Sequence, residues 1–233
     1  MFKINEFKII GIYVGMLIVL LGFQLLLIYG FNLNVDIQSQ FIRVNSLSNI
    51  FYYGMMLLLY IVLFFGFWKT EWRKAINNKI QVLMFIVIGF GAMLGASTIA
   101  GIIMYILNVT DTSVNQAQLN LLISSGTTFD QIALLIFAVL LAPPVEELVF
   151  RKAIFDLLER IKIKEPFVVI LLSGIIFGFI HVASDNWIQI VSYALLGVVL
   201  ALLYHYSNKK LFIPIVVHML FNLMVSITMF TAL

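Results

Sequence analysis

The sequence predicts an all-α fold, a polytopic transmembrane helical bundle of about seven spans, and three observations carry that expectation. The 233 residues are 63% hydrophobic, with 21 Phe but only 14 Lys and Arg and 11 Asp and Glu. Mean hydropathy is +1.09, and a soluble domain of this size needs a far more charged surface to stay dispersed in water. The apolar residues form runs long enough to cross a hydrocarbon core of about 30 Å, and most charges fall in the gaps between runs. Within the runs Leu, Ile, Val and Phe show no strict two-residue alternation, which argues against a transmembrane barrel. Cysteine is absent, so disulfides, thiolate metal ligands and a cysteine nucleophile are excluded.

Span one, residues 9–31, follows Lys3 and Lys8. It is too long for the apolar region of a signal peptide, lacks a small-residue cleavage site and is followed by many more such runs. Span two covers about 51–68, span three 82–107 and span four 129–158. Spans five, six and seven cover about 166–182, 187–206 and 211–230. The chain therefore reads as a single membrane-embedded domain, 1–233, without internal repeats, a glycine-rich phosphate loop or a soluble linker. Gly89, Gly91 and Gly95 in span three are expected to be packing residues that permit close helix approach.

The connections carry an orientation signal. Lys3 and Lys8, then Lys69, Arg73, Lys74 and Lys79, then Arg160, Lys162 and Lys164, then Lys209 and Lys210 occupy every second connection. The alternate segments, 32–50, 108–128 and 183–186, hold one basic residue between them, Arg43. Such a bias in short loops places the basic connections in the cytoplasm of a multi-pass cell-membrane protein, with the amino end inside and the carboxyl end outside. The net charge of +3 is thereby read as membrane orientation and not as nucleic-acid binding.

Span four is anomalous. Its 30 residues make a helix of about 45 Å, longer than the hydrocarbon core, and it contains Pro143-Pro144. Proline inside a helix removes a backbone donor and clashes with the preceding turn. The expectation is a bend at the prolines, or a short segment ending near Leu141 with a new helix from Pro144. Either way irregular backbone needs protein or a wet cavity around it.

The polar residues inside the spans carry the functional expectation. Glu146, Glu147 and Arg151 follow the prolines in PPVEELVFRKAIF, and ionisable groups at membrane depth must face protein or water. Glu147 and Arg151 are four apart and share a helical face, while Glu146 is turned about 100° from Glu147. Pairing of Glu147 with Arg151 leaves Glu146 free for proton transfer. His181 in FGFIHVASD offers a group that titrates near neutral pH. His218 and Asn222 in HMLFNLM share a face and could donate two hydrogen bonds to one oxygen. Each cluster alone fits interhelical hydrogen bonding. Together they match the needs of peptide hydrolysis, a base for water and donors for the developing oxyanion.

These residues resemble the motifs of the CPBP intramembrane proteases, which include type II CAAX prenyl endopeptidases and many bacterial bacteriocin-processing or self-immunity proteins. Glu146, Glu147 and Arg151 match Glu-Glu-x-x-x-Arg, Phe177 and His181 match Phe-x-x-x-His, and His218 and Asn222 match His-x-x-x-Asn. The motifs lie in family order across about 143–222, within a motif-bearing core of about 129–230 resembling the CAAX-protease fold. The resemblance implies a glutamate-dependent endopeptidase whose active site lies in the membrane and opens toward the cytosol. Glu146 then activates water, His181 assists and orients it, and His218 with Asn222 stabilises the oxyanion. Glu147 and Arg151 orient the site or engage substrate. The expected partners are a peptide or membrane-protein substrate and membrane lipid, with oligomeric state open.

The expected mechanism needs no cofactor; the alternative is zinc held by Glu146, His181 and His218. A membrane scaffold or bacteriocin-immunity protein that hydrolyses nothing is the rival from another class, and a transporter is a third. Straight helices starting at equal depth do not align the motifs. His181 lies about 22 Å into span five and His218 about 10 Å into span seven.

Overall fold

The computed structural model describes residues 5–30, 36–182 and 187–231, so Lys3 and the predicted 183–186 connection lie outside the described residues. The described chain is helical almost throughout: α1 (Glu6–Gly30), α2 (Ile37–Leu63), α3 (Phe65–Asn77), α4 (Lys79–Ile106) and α5 (Val114–Ser125) come first. A continuous helical run, α6 (Thr128–Arg160), is followed by α7 (Pro166–Val182), α8 (Ile190–Tyr206) and α9 (Phe212–Thr231). Six helices, α1, α2, α4, α6, α9 and α8 with its leading turn from Trp187, are long and apolar enough to cross a membrane, and α7 is a shorter apolar helix. The predicted bundle of about seven spans is the observed architecture.

Hydropathy alone misplaces the start of α2. Helix α2 begins at Ile37, well before residue 51, because its polar first half is shielded: Ser46 and Ser48 are buried. Asp36 caps it by accepting from Ser39 N at 3.0 Å. Arg43 does not stand in a loop; its Nε lies 3.1 Å from Asp130 Oδ1 at the start of α6. Asp130 Oδ2 also accepts from the backbone N and Oγ1 of Thr127, at 3.0 and 2.7 Å, closing the first turn of α6. The 108–128 connection contains α5, with Ser113 Oγ accepting from Gln116 N at 3.1 Å as its cap.

The basic end is built around α3. This helix carries Lys69, Arg73 and Lys74, and its buried Glu71 accepts from Leu211 N at 2.8 Å beside the start of α9. A carboxylate there meets unpaired amide donors and the positive end of the helix dipole.

Helix α6 is the centre of the bundle. In its most apolar window 61% of residues are buried inside the protein, against 11% in α1. The proline pair neither splits α6 nor ends it. A π-helical stretch, Leu135–Leu141, precedes a six-residue α segment, Ala142–Glu147, and a second π stretch, Leu148–Ala153, follows. Widening shifts the bonding: Ala142 N–H donates to Phe137 O, five residues back. The prolines, which have no N–H, thus fall where the ladder is already displaced. Irregular backbone at this depth is tolerated because protein surrounds it.

Of the span-three glycines only Gly89 approaches another helix; a Cβ there would lie 2.6 Å from Leu203 Cδ1, whereas Gly91 and Gly95 meet nothing within 4 Å. The close seam lies between α7 and α8. A Cβ on Gly174 would sit 2.7 Å from Val198 N, and one on Gly178 2.8 Å from Ala194 N. Backbone cannot yield as a side chain can, so only glycine lets these helices touch. That seam fixes the depth of His181, three residues beyond Gly178.

Candidate active site

The six-residue segment between the two π stretches presents Glu146 and Glu147 in different directions. Glu147 is fully buried and lies with Oε2 2.9 Å from Arg151 Nε, also fully buried. The approach lies off the N–H axis, so this is an ion pair more than a linear hydrogen bond. Arg151 is further held by Ser173 Oγ at 3.3 Å, and Ser173 donates to Phe150 O at 2.9 Å. Its guanidinium carbon lies 5.0 Å from the centre of the Phe177 ring. The expected Glu147–Arg151 pair therefore exists, but Glu147 has a second partner that spacing along one helix did not reveal. His218 Nδ1 lies 3.0 Å from Glu147 Oε1. The ion-paired carboxylate accepts, so Nδ1 carries the proton.

Glu146 faces away from the pair and toward three other helices. Tyr53 on α2 donates its hydroxyl to Oε1 at 2.9 Å. The second oxygen, Oε2, faces His181 Nε2 at 4.0 Å and His218 Nε2 at 3.9 Å. His181 Nδ1 lies 2.8 Å from Phe177 O, a carbonyl that can only accept. Both imidazoles are thus tied through Nδ1–H, and both direct Nε2 at the same carboxylate oxygen. Neither ring bonds to that oxygen directly, but both distances span a single oxygen atom with a hydrogen bond on each side. His181 is clamped between aromatic rings, with centroids 4.3 Å from Phe177 and 5.0 Å from Tyr193. Tyr193 is itself held by Ser113 Oγ at 2.7 Å.

His181 lies fifteen residues into α7 and His218 six into α9, yet both reach Glu146. Tilt or displacement of the two helices therefore absorbs the misalignment expected from straight spans starting at equal depth.

Asn222 lines the same cavity, but its amide is engaged: Nδ2 donates to Ala138 O at 2.8 Å. Ala138 lies five residues before Pro143, which has no N–H to offer it, so the side chain satisfies a carbonyl that the proline leaves open. Only one of the two N–H groups of Asn222 remains for a substrate. Of the six residues singled out, Glu146, Glu147, Arg151, His181 and His218 form one contact network, and Asn222 stands beside it. Tyr53, Ser173 and Tyr193 complete it and carry no motif in the sequence. A mid-span tyrosine next to another tyrosine was the one trace of Tyr53.

A cavity of about 640 Å³ leads from Glu146, His181, His218 and Asn222 to the end of the bundle formed by 109–116, Gln189 and Met229. This end is opposite the connections bearing Lys69, Arg73, Lys74, Lys209 and Lys210. An opening toward the cytosol and an amino end in the cytosol, both expected from the sequence, therefore exclude one another. The residues arrive at this end because His181 sits at the far end of α7.

The alternative zinc set does not fit as it stands. With bonds of about 2.0–2.1 Å, tetrahedral ligands lie roughly 3.3 Å apart, closer than the 3.9 and 4.0 Å seen from Glu146 Oε2 to the two imidazoles. Among the described residues no group of three His, Asp or Glu is arranged to hold a metal ion.

Comparison with known proteins agrees with the motifs. Residues 128–224 match the family model described as type II CAAX prenyl endopeptidase Rce1-like. That segment contains all six polar residues and bears out the resemblance read from them. The chain is also 28% identical over 180 residues to the UPF0177 protein YvdC of Lactococcus lactis subsp. lactis (strain IL1403). The alignment covers 76% of this chain and 65% of the relative, so the chain spans just under two thirds of that protein's length. No solved structure matches the chain.

Proposed function

We propose that this chain, with its Rce1-like segment at 128–224, is an intramembrane endopeptidase of the cell membrane that hydrolyses a peptide bond with water activated by Glu146. The observation that carries this reading is the convergence of Nε2 of His181 and Nε2 of His218 on Oε2 of Glu146, at 4.0 and 3.9 Å. Interhelical hydrogen bonding alone gives no reason to hold two imidazoles just beyond bonding distance of one carboxylate oxygen.

The chemistry follows from the atoms. Water held by Glu146 Oε2 and the acceptor Nε2 of His181 gives one proton to Glu146 as its oxygen attacks the scissile carbonyl carbon. The carbonyl oxygen takes the negative charge and faces His218 and the remaining N–H of Asn222. Donation from His218 Nε2 requires a proton on both ring nitrogens, and Glu147 Oε1, 3.0 Å from Nδ1, accepts one of them and fixes the ring. Glu147 and Arg151 thereby act through His218 as positioning residues. The C–N bond then breaks, the proton on Glu146 passes to the leaving nitrogen, and an acid and an amine result. Tyr53 holds Oε1 so that Oε2 is the basic oxygen. The reaction is proposed without a metal, supported by the wide spacing of the ligand-like atoms and by the tyrosine on Oε1. The amino end is proposed to lie inside, with lipid around the bundle.

A membrane-proteome comparison of wild type with Glu146→Gln tests the reading. Gln keeps the volume and the acceptor for Tyr53 but is a far weaker base, so a discrete cleavage disappears while abundance stays equal. His181→Ala is expected to be nearly inactive as well. A well-folded Glu146→Gln that cleaves a confirmed substrate at the wild-type rate refutes the assignment, and a membrane proteome unchanged by the substitution favours the scaffold reading.

A further inference from the structure

The cavity has a chemical bias that the hydrolytic reading does not use. Among the described residues that line it there is no Lys and no Arg, and its acidic members are Glu146 at the floor and Asp111 at the mouth. Beyond the imidazoles of His181 and His218 at the floor, amide and hydroxyl side chains dominate its polarity, among them Asn45 and Asn49 on α2, Ser97 on α4, Asn115 and Gln116 on α5, and Gln189 before α8. The Arg43 guanidinium near this end is held by Asp130, so its charge is already compensated. The volume of about 640 Å³ is that of a site for an extended segment of a few residues. At the mouth Asp111 is the charged side chain among the described lining residues, and its field attracts cations and disfavours anions. Apart from the two imidazoles at the floor, no basic side chain among the described lining residues offers a counter-ion for a terminal carboxylate.

Resting on the endopeptidase reading, we infer that the cavity is entered from the extracytoplasmic end of the bundle and takes an internal, neutral or lysine- and arginine-bearing peptide segment. Amide side chains along the path can pair with the N–H and C=O groups of an extended backbone whatever its sequence. Acidic segments and free carboxyl termini are rejected at the mouth, where Asp111 has no Lys or Arg beside it among the described lining residues. The direction of entry follows from the cavity opening at the lysine- and arginine-poor end, combined with the positive-inside rule.

The native chain has no cysteine, which allows a test that needs no known substrate. Ser97→Cys and Ser192→Cys each place a thiol in the lining of the cavity, on α4 and α8, with little change in volume. In sealed membrane vesicles of known orientation each is treated with membrane-impermeant thiosulfonates of similar size, one bearing trimethylammonium and one sulfonate. Relative to their rates on free cysteine, the cationic reagent is expected to react at least tenfold faster than the anionic one, and only from the extracytoplasmic face. Equal or reversed rates overturn the charge selectivity, and access only from the face carrying residues 69–79 overturns the route. Internally quenched peptides with Lys, Gln or Glu flanking one bond form the second arm. Cleavage in the order Lys or Gln over Glu supports the inference, and cleavage indifferent to these residues overturns it while leaving the enzyme reading intact. Selective labelling without any cleavage of these peptides, with a membrane proteome unchanged by Glu146→Gln, refutes the endopeptidase and with it the substrate assignment, while the route and the charge of the cavity stand.

Discussion

Arg151→Met and Glu147→Gln, made singly and together, test whether the two buried charges of α6 act as a pair. Both side chains are fully buried. Without the guanidinium, Glu147 keeps only His218 Nδ1, at 3.0 Å. Without the carboxylate, Arg151 keeps Ser173 Oγ at 3.3 Å and the face of Phe177. Each single change leaves an uncompensated charge out of reach of water, at a cost of about 3–5 kcal/mol. At about 1.4 kcal/mol per factor of ten, that lowers the ratio of folded to unfolded protein by two to nearly four orders of magnitude. The double variant carries neither charge, so its loss is expected to be no larger than that of either single change, and far below their sum. The assay is unfolding of purified protein in mixed micelles by increasing sodium dodecyl sulfate, followed by circular dichroism, with membrane abundance measured beside it. Losses that add to within about 0.5 kcal/mol in the double variant mean that the charges do not act as a pair, and the network built on them fails.

Three further outcomes follow from the site. Asn222→Ala is expected to lower turnover by roughly a hundred- to a thousandfold if its free N–H serves the oxyanion. It also leaves Ala138 O unpaired, so stability falls by about 1–3 kcal/mol; full turnover at unchanged stability refutes both roles. Tyr53→Phe removes one hydrogen bond to the Glu146 carboxylate, worth about 1.5–3 kcal/mol; a ten- to hundredfold loss of kcat with little change in KM is expected, and an unchanged kcat removes Tyr53 from the site. Purified active protein is expected to carry no stoichiometric zinc by elemental analysis. Loss of activity on chelation, restored by one equivalent of zinc and abolished in His181→Ala and His218→Ala, reverses that expectation.

The chain's composition and runs determine the membrane class, and its motifs determine the inventory of the site, because both depend on residue type and short spacing. Helical geometry alone pairs Glu147 with Arg151 and separates Glu146 from them, since four residues along a helix return to one face. Distances between helices have no such local rule. That His218 ties its Nδ1 to Glu147 while aiming Nε2 at Glu146 depends on how deep α7 and α9 sit, which the glycine seam between α7 and α8 helps to set. Tyr53 was illegible because nothing within α2 says which neighbour its hydroxyl reaches. Asn222 reads as a free donor in the sequence and is half committed in the tertiary structure. The backbone before Pro143 widens, leaves Ala138 O without a partner, and a buried carbonyl takes the nearest amide available.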